Sequence, residues 1–235
     1  LDAETKQTMG WIVNVTGATG LVGRELVRQL LEEKEIEKVR TFVRRGSGVI
    51  HPKLEEIVTD FNDPGKWKTS LTGDVLFSAL GTTLKQAGSK KNQYLVDFTY
   101  QLRFAEEALK NGVSHYVLVS SAGASSRSFL FYPRMKGELE EKVKELPFHS
   151  VTILRPSILR GTREIRRPAE EWSAFMMGKI SRYFLKKYRP VPAQTVARAM
   201  INALSANRSE KILVINPENV FKLAGIYKSL LFQKS

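Results

Sequence analysis

The chain has 235 residues, a net charge of +13, no cysteine and a hydrophobic content of 42%. That length suits one α/β domain, the apolar share argues against wholesale disorder, and the missing cysteines exclude disulfides, thiolate metal sites and a cysteine nucleophile. No apolar run reaches the roughly 18 residues of a membrane span, and the polar start at Leu1–Thr8 does not read as a signal peptide, so a cytoplasmic location is expected.

In chain order, Trp11–Thr16 is short, apolar and rich in Val and Ile, and reads as a buried strand. Glycines follow at once. Leu21–Leu31 then carries apolar residues at 21, 22, 26, 27, 30 and 31, a helical period. Val39–Val43, Glu56–Asp60, Asp74–Leu80, Tyr116–Ser120, Val151–Leu154 and Ile212–Ile215 are further strand candidates. Tyr94–Asn111 is helical and stops at Asn111-Gly112; Pro133–Leu146 is helical, with the proline in its first turn. Strands alternating with helices at this spacing predict an α/β fold, a Rossmann-type doubly wound parallel sheet. The whole chain reads as one such domain, with a nucleotide-binding core over about 11–156 and a small C-terminal substrate-side lobe over about 157–235.

Gly17-Ala18-Thr19-Gly20-Leu21-Val22-Gly23 has the spacing GxxGxxG between a strand and a helix. Glycines there let the backbone turn tightly and approach a pyrophosphate, which the helix N-terminus attracts with its free N–H groups. A helix-capping turn without ligand is the plainer reading of the same spacing. The second strand ends at Arg44-Arg45, where an NAD site usually carries Asp or Glu. Two guanidinium groups instead suit a 2′-phosphate, so NADP(H) is the expected cofactor, with Arg24 as a helper. Asp60-Phe61 is expected to flank the adenine, and Leu80-Gly81-Thr82 to pass near the cofactor ribose and phosphates.

A tyrosine four residues before a lysine shares its helix face, and the ammonium favours the phenolate. Such a tyrosine can pass a proton to or from a carbonyl oxygen during hydride transfer. The spacing occurs twice, at Tyr132/Lys136 and Tyr183/Lys187. Only Tyr132 opens a helix just after a strand end, beyond which such sheets bind ligands. Ser121 is the candidate donor to a substrate carbonyl, with Ser120 as the fallback. No GxSxG elbow surrounds them. His51, His115 and His149 are scattered and show no metal-ligand spacing.

Together these stretches resemble the short-chain dehydrogenase/reductase superfamily, in its atypical branch containing HIV Tat-interactive protein and bacterial oxidoreductase-like relatives. The resemblance continues through Leu80-Gly81-Thr82-Thr83, Ala87-Gly88-Ser89, Ser120–Ala124, Lys136-Gly137-Glu138, Leu154–Ser157, Arg166-Arg167-Pro168 and Val191-Pro192. It implies NADPH binding and a Ser121/Tyr132/Lys136 set, in which Lys136 also holds the nicotinamide ribose. It further implies that Pro156-Ser157-Ile158 lies near the nicotinamide. The substrate class is a small carbonyl or alcohol. The branch also contains proteins described mainly as regulators, so an NADPH-binding sensor with little turnover is the rival reading.

The charge is unevenly placed. Residues 151–235 hold 16 Lys/Arg against 5 Asp/Glu, whereas residues 1–150 hold 21 against 19. In Phe175–Arg189, Met176, Ile180, Tyr183 and Phe184 fall on one helical stripe, and Lys179, Arg182, Lys186 and Arg189 on another. A core-facing helix with a solvated basic back accounts for this. So does a lid, or a surface for an acidic protein or anionic membrane. Arg163, Arg166 and Arg167 could face the pocket and favour an anionic substrate. No nucleic-acid partner is expected, because no binding module is recognisable.

Overall fold

The computed structural model describes residues 10–160, 190–206 and 210–225. The basic amphipathic stripe of Phe175–Arg189, the Tyr183/Lys187 pair and Arg163, Arg166 and Arg167 lie outside the described residues.

Seven parallel strands form one sheet in the order β3-β2-β1-β4-β5-β6-β9. They are β1 (Trp11–Thr16), β2 (Ile36–Val43), β3 (Leu54–Val58), β4 (Val75–Ser78), β5 (His115–Val119), β6 (Ser150–Leu154) and β9 (Ile212–Ile215). A separate short parallel pair joins β7 (Leu159–Arg160) to β8 (Val191–Pro192). The chain moves outward from β1 through β2 to β3, then returns to place β4 on the other side of β1. That reversal opens a crevice beyond the carboxyl ends of β1 and β4, where doubly wound sheets bind ligands.

Strand side chains alternate between two cores because successive residues point to opposite faces. Val13, Val15, Val75, Phe77 and Val117 pack with α1 (Leu21–Glu32), α6 (Ala193–Ala206) and α7 (Pro217–Ala224). Phe42, Leu76, Tyr116, Leu118 and Ile153 pack with α4 (Gln101–Lys110) and α5 (Phe131–Glu145). Phe104 of α4 stacks on Trp67 with ring centroids 3.9 Å apart, which anchors the second core.

The expected elements are present, with differences at several places, of which three bear on the packing. β3 begins two residues earlier than expected, at Leu54. The helix expected over Tyr94–Asn111 starts at Lys90, where the Ser89 hydroxyl caps it by accepting from the Asn92 N–H at 3.1 Å. It then runs as α3 (Lys90–Tyr94), a π-helical turn (Leu95–Tyr100) and α4. Finally, α6 has no counterpart in the sequence reading. Ala193, Ala197, Ala199 and Ala203 are all buried in it. Small residues give a weak hydrophobic contrast while allowing helices to pack closely. α6 is tied to α1 by Gln29, whose Nε2 donates to the Gln194 carbonyl at 3.1 Å, and by the Arg198–Glu33 ion pair.

Candidate functional site

The glycine loop joins β1 to α1 with the geometry its spacing predicts. Gly17 has φ +80°, and a Cβ there would lie 2.4 Å from the Ala79 backbone. A Cβ on Gly23 would lie 2.0 Å from the Gly17 carbonyl oxygen. One glycine therefore lets the loop cross the end of β4, and the other lets α1 seat against the loop. Gly20 caps α1 without a side-chain hydrogen bond, and no acidic residue occupies the first helical turn. The helix N-terminus thus keeps free N–H groups and a positive end, as an anionic group requires. Ala18, Thr19, Leu21 and Val22 complete the loop; Thr19 is exposed while Ala18 and Val22 are buried. Arg24 folds back over it, its Nε donating to the Thr19 carbonyl at 2.9 Å.

Arg44 and Arg45 follow β2 directly. Both are exposed, and neither makes a side-chain hydrogen bond or ion pair among the described residues. Two unspent guanidinium groups beside a phosphate-ready loop fit a 2′-phosphate. Asp60 is exposed and accepts from the Asn62 N–H at 2.9 Å. Phe61 departs from the expectation that it flanks the adenine. Its ring is 3% exposed and packs edge-on against Tyr100 and Phe104, and its carbonyl accepts from Arg103 at 3.3 Å. The aromatic core has claimed the ring, so Asp60 is what this turn presents outward.

Beyond β4, Leu80-Gly81-Thr82 is gripped by the neighbouring helix. Thr82 donates its N–H to Asp97 Oδ2 at 2.8 Å, and its carbonyl accepts from Gln93 Nε2 at 3.2 Å. Asp97 belongs to the π-helical turn and is 1% exposed. Its other oxygen lies 3.9 Å from the Lys136 ammonium, itself 2% exposed. That is an ion pair without hydrogen-bond contact. The chain of contacts continues inward. Gln101 Nε2 donates to the Asp97 carbonyl at 2.7 Å, and Gln101 Oε1 accepts from the Ser78 hydroxyl at 2.8 Å.

Tyr132 opens α5, half-buried, one turn before Lys136. The next residue, Gly137, is needed for contact, since a Cβ there would lie 2.2 Å from the Ser125–Ser126 backbone. This brings the first turns of α5 against the loop that follows β5. The two serines at that strand end differ. Ser120 is committed, its hydroxyl donating to Glu140 Oε1 at 2.5 Å. Ser121 is buried and, among the described residues, its hydroxyl makes only a 3.4 Å contact to the Ala122 carbonyl. Of the two, Ser121 has the hydroxyl left to serve a ligand.

Glu140 is 1% exposed. Arg155, at the end of β6, donates its Nε to both carboxylate oxygens at 3.0 and 3.1 Å and its terminal nitrogen to Oε2. Hydrogen bonding to Glu140 raises the Arg155 guanidinium still further above its ordinary range, so it stays charged. This cluster braces Pro156-Ser157-Ile158. Pro156 accepts from the Ala122 N–H at 3.0 Å, Ser157 is buried, and Ile158 is 56% exposed. Sequence reasoning missed Asp97, Gln101, Glu140 and Arg155 as parts of the site. The signal for the first two was a run of polar residues, Gln93, Asp97 and Gln101, spaced by four along the helix stripe that Phe104 and Ala108 bury.

Residues 17–207 match a family model described as NAD(P)H-binding. The chain belongs to this NAD(P)H-binding family. It is 36% identical over 231 residues to Protein fmp52, mitochondrial, of Aspergillus clavatus, covering 91% of this chain and 98% of that protein. It is 32% identical to Protein HTATIP2 of Rattus norvegicus, covering 90% of this chain and 88% of the relative. The structure of the Bordetella bronchiseptica enzyme WbmH in complex with NAD+ matches with a TM-score of 0.65 at 16% identity, covering 88% of this chain and 75% of that one. The last similarity shows the shared fold. The resemblance to the atypical short-chain dehydrogenase/reductase branch therefore holds. The expected cytoplasmic location does not. The fungal relatives that overturn it are named mitochondrial. Composition misled here, because the absence of cysteines and of a long apolar run is equally compatible with either compartment. No helix among the described residues is long and apolar enough to cross a membrane.

Proposed function

We propose that this protein is an NADP(H)-dependent oxidoreductase acting on a small carbonyl or alcohol. Family membership supports an NAD(P)-binding oxidoreductase-type protein; the cofactor preference, the reaction and the residue roles are this reading's own. The observation that carries it is Lys136, an ammonium buried one helical turn from Tyr132 and facing Asp97. A buried charge is costly, and a cation beside a tyrosine is the pairing that proton transfer to a carbonyl oxygen requires.

In this reading Gly17–Gly23 and the start of α1 hold the pyrophosphate, Arg44 and Arg45 hold the 2′-phosphate, and Asp60 and Leu80–Thr82 line the adenosine and ribose side. The bound cofactor supplies or accepts a hydride. Tyr132 gives or takes the proton at the substrate oxygen, Ser121 orients that oxygen, and Lys136 sustains the tyrosine. Pro156-Ser157-Ile158 forms the wall opposite. The mitochondrial names of the relatives favour the same compartment for this chain, testable by fractionation of cells producing the tagged protein.

The test is a panel of aldehydes and ketones, some anionic, monitored by NADPH oxidation. The expected result is turnover of at least one compound, with Tyr132→Phe lowering kcat by about 100-fold while NADPH affinity stays within threefold. Unchanged turnover in Tyr132→Phe would remove Tyr132 from the chemistry. NADPH binding without turnover of any compound would favour a cofactor sensor.

A further inference from the structure

We propose that Ser47 is a phosphorylation site, through which a serine kinase that selects arginines just before its target blocks the 2′-phosphate subsite at Arg44 and Arg45. This regulation rests on the cofactor preference proposed above.

Ser47 stands in the irregular loop between β2 and β3, in the run Arg44-Arg45-Gly46-Ser47. Residues 44–50 are all exposed. A Cβ on Gly48 would meet nothing within 4 Å, and one on Gly46 only a Glu56 oxygen at 3.6 Å. The loop therefore stands clear of the sheet and leaves room for an enzyme's cleft on both sides of the serine. Two cations two and three residues before a hydroxyl form a charge pattern that an acidic kinase groove reads. No other serine in the chain follows two arginines in this way.

In the transfer, the Ser47 oxygen attacks the γ-phosphorus of ATP. The bond from that phosphorus to the bridging oxygen breaks, ADP leaves, and the hydroxyl proton passes to the kinase's base. The product is a phosphate monoester, the same group that distinguishes NADPH from NADH. It carries a charge of about −1.5 to −2 at pH 7.

Arg44 and Arg45 can take up this anion, because neither makes a side-chain hydrogen bond or ion pair among the described residues. On the other side of the serine, both Glu56 oxygens accept from the Ser47 N–H, at 3.2 and 3.0 Å. A phosphate there meets a like charge and turns from Glu56 toward the guanidinium groups. Tethered to the same loop, it competes with the cofactor's 2′-phosphate at high effective concentration. NADH has no 2′-phosphate and loses nothing by this.

The test treats the purified full chain with cyclic-AMP-dependent protein kinase and ATP, and maps the modification by mass spectrometry. NADPH and NADH are then titrated by cofactor fluorescence. Phosphate is expected on Ser47, with NADPH affinity lowered about tenfold or more and NADH affinity within about threefold. Ser47→Ala, treated in the same way, should keep the NADPH affinity of the untreated wild type. An unmodified Ser47, under conditions that fully convert a reference peptide with two arginines before its serine, overturns the site. Modification that leaves NADPH affinity unchanged, or weakens both cofactors equally, overturns the blocking of the subsite. Failure of the cofactor reading itself looks different, since untreated Arg44→Ala would then bind NADPH as the wild type does.

Discussion

The two sides of the crevice are built from different materials. On the β1–β2 side the surface of the crevice is backbone. Gly17, Gly20 and Gly23 shape it, and the arginines beside it, Arg24, Arg44 and Arg45, are exposed. On the β4–β6 side the surface is braced by ionic side chains, buried Asp97 with buried Lys136 and buried Glu140 with half-buried Arg155. The first construction suits recognition of a fixed polyanionic group, which needs donors and space. The second suits proton transfer, which needs charges held in a poorly solvated setting. Substitutions on the first side should therefore act through steric fit, and on the second through uncompensated charge.

The largest effect is expected at Gly23. A Cβ 2.0 Å from the Gly17 carbonyl oxygen cannot be relieved by a side-chain rotation, since both atoms belong to the backbone framework. Gly23→Ala should cost about 3 kcal/mol or more in denaturant unfolding and abolish NADPH binding. A stable variant with normal binding would break the steric half of the comparison. Next comes Glu140→Ala, which strands Arg155 and the Ser120 hydroxyl. It should cost about 3 kcal/mol, and Glu140→Gln clearly less, because the amide keeps the Ser120 contact. Equal losses in the two variants would mean that shape, not charge, holds that side together.

Smaller still is Arg44→Ala. The side chain is exposed and unbonded among the described residues, so stability should stay within about 0.5 kcal/mol. Phe129, fully exposed in the loop before Tyr132, sets the lower bound. Phe129→Ala should leave unfolding unchanged within the same margin, and a measurable loss would reveal a packing role that the described residues do not show.

The difference between the two sides also explains what could be read in advance. A glycine that must adopt positive φ or admit a close neighbour leaves its mark directly in the sequence, so the β1–α1 loop was visible as spacing. The alternation of strands and helices was visible for the same reason, because apolar periodicity records burial. A buried charge leaves no such mark. Glu140 stands in a stretch from Glu138 to Glu145 that looks like a solvated helix face, and only packing against Ser120 and Arg155 sets it apart. Asp97 left only the four-residue polar spacing it shares with Gln93 and Gln101, because its partners are 15 and 39 positions away along the chain. The Phe61 ring was legible as aromatic, but its packing edge-on against Tyr100 and Phe104 was not. Alanine-rich α6 escaped notice because its packing depends on small size rather than on contrast.

The most direct test of the cofactor assignment is an equilibrium titration of the purified protein with NADPH and with NADH, followed by cofactor fluorescence, for wild type and Arg44→Ala. Loss of one guanidinium–phosphate contact is worth about 1.5–3 kcal/mol, so NADPH affinity should fall by at least about tenfold while NADH affinity is unchanged. Equal weakening of both cofactors, or tighter binding of NADH by the wild type, would contradict the assignment of Arg44 and Arg45 to a 2′-phosphate.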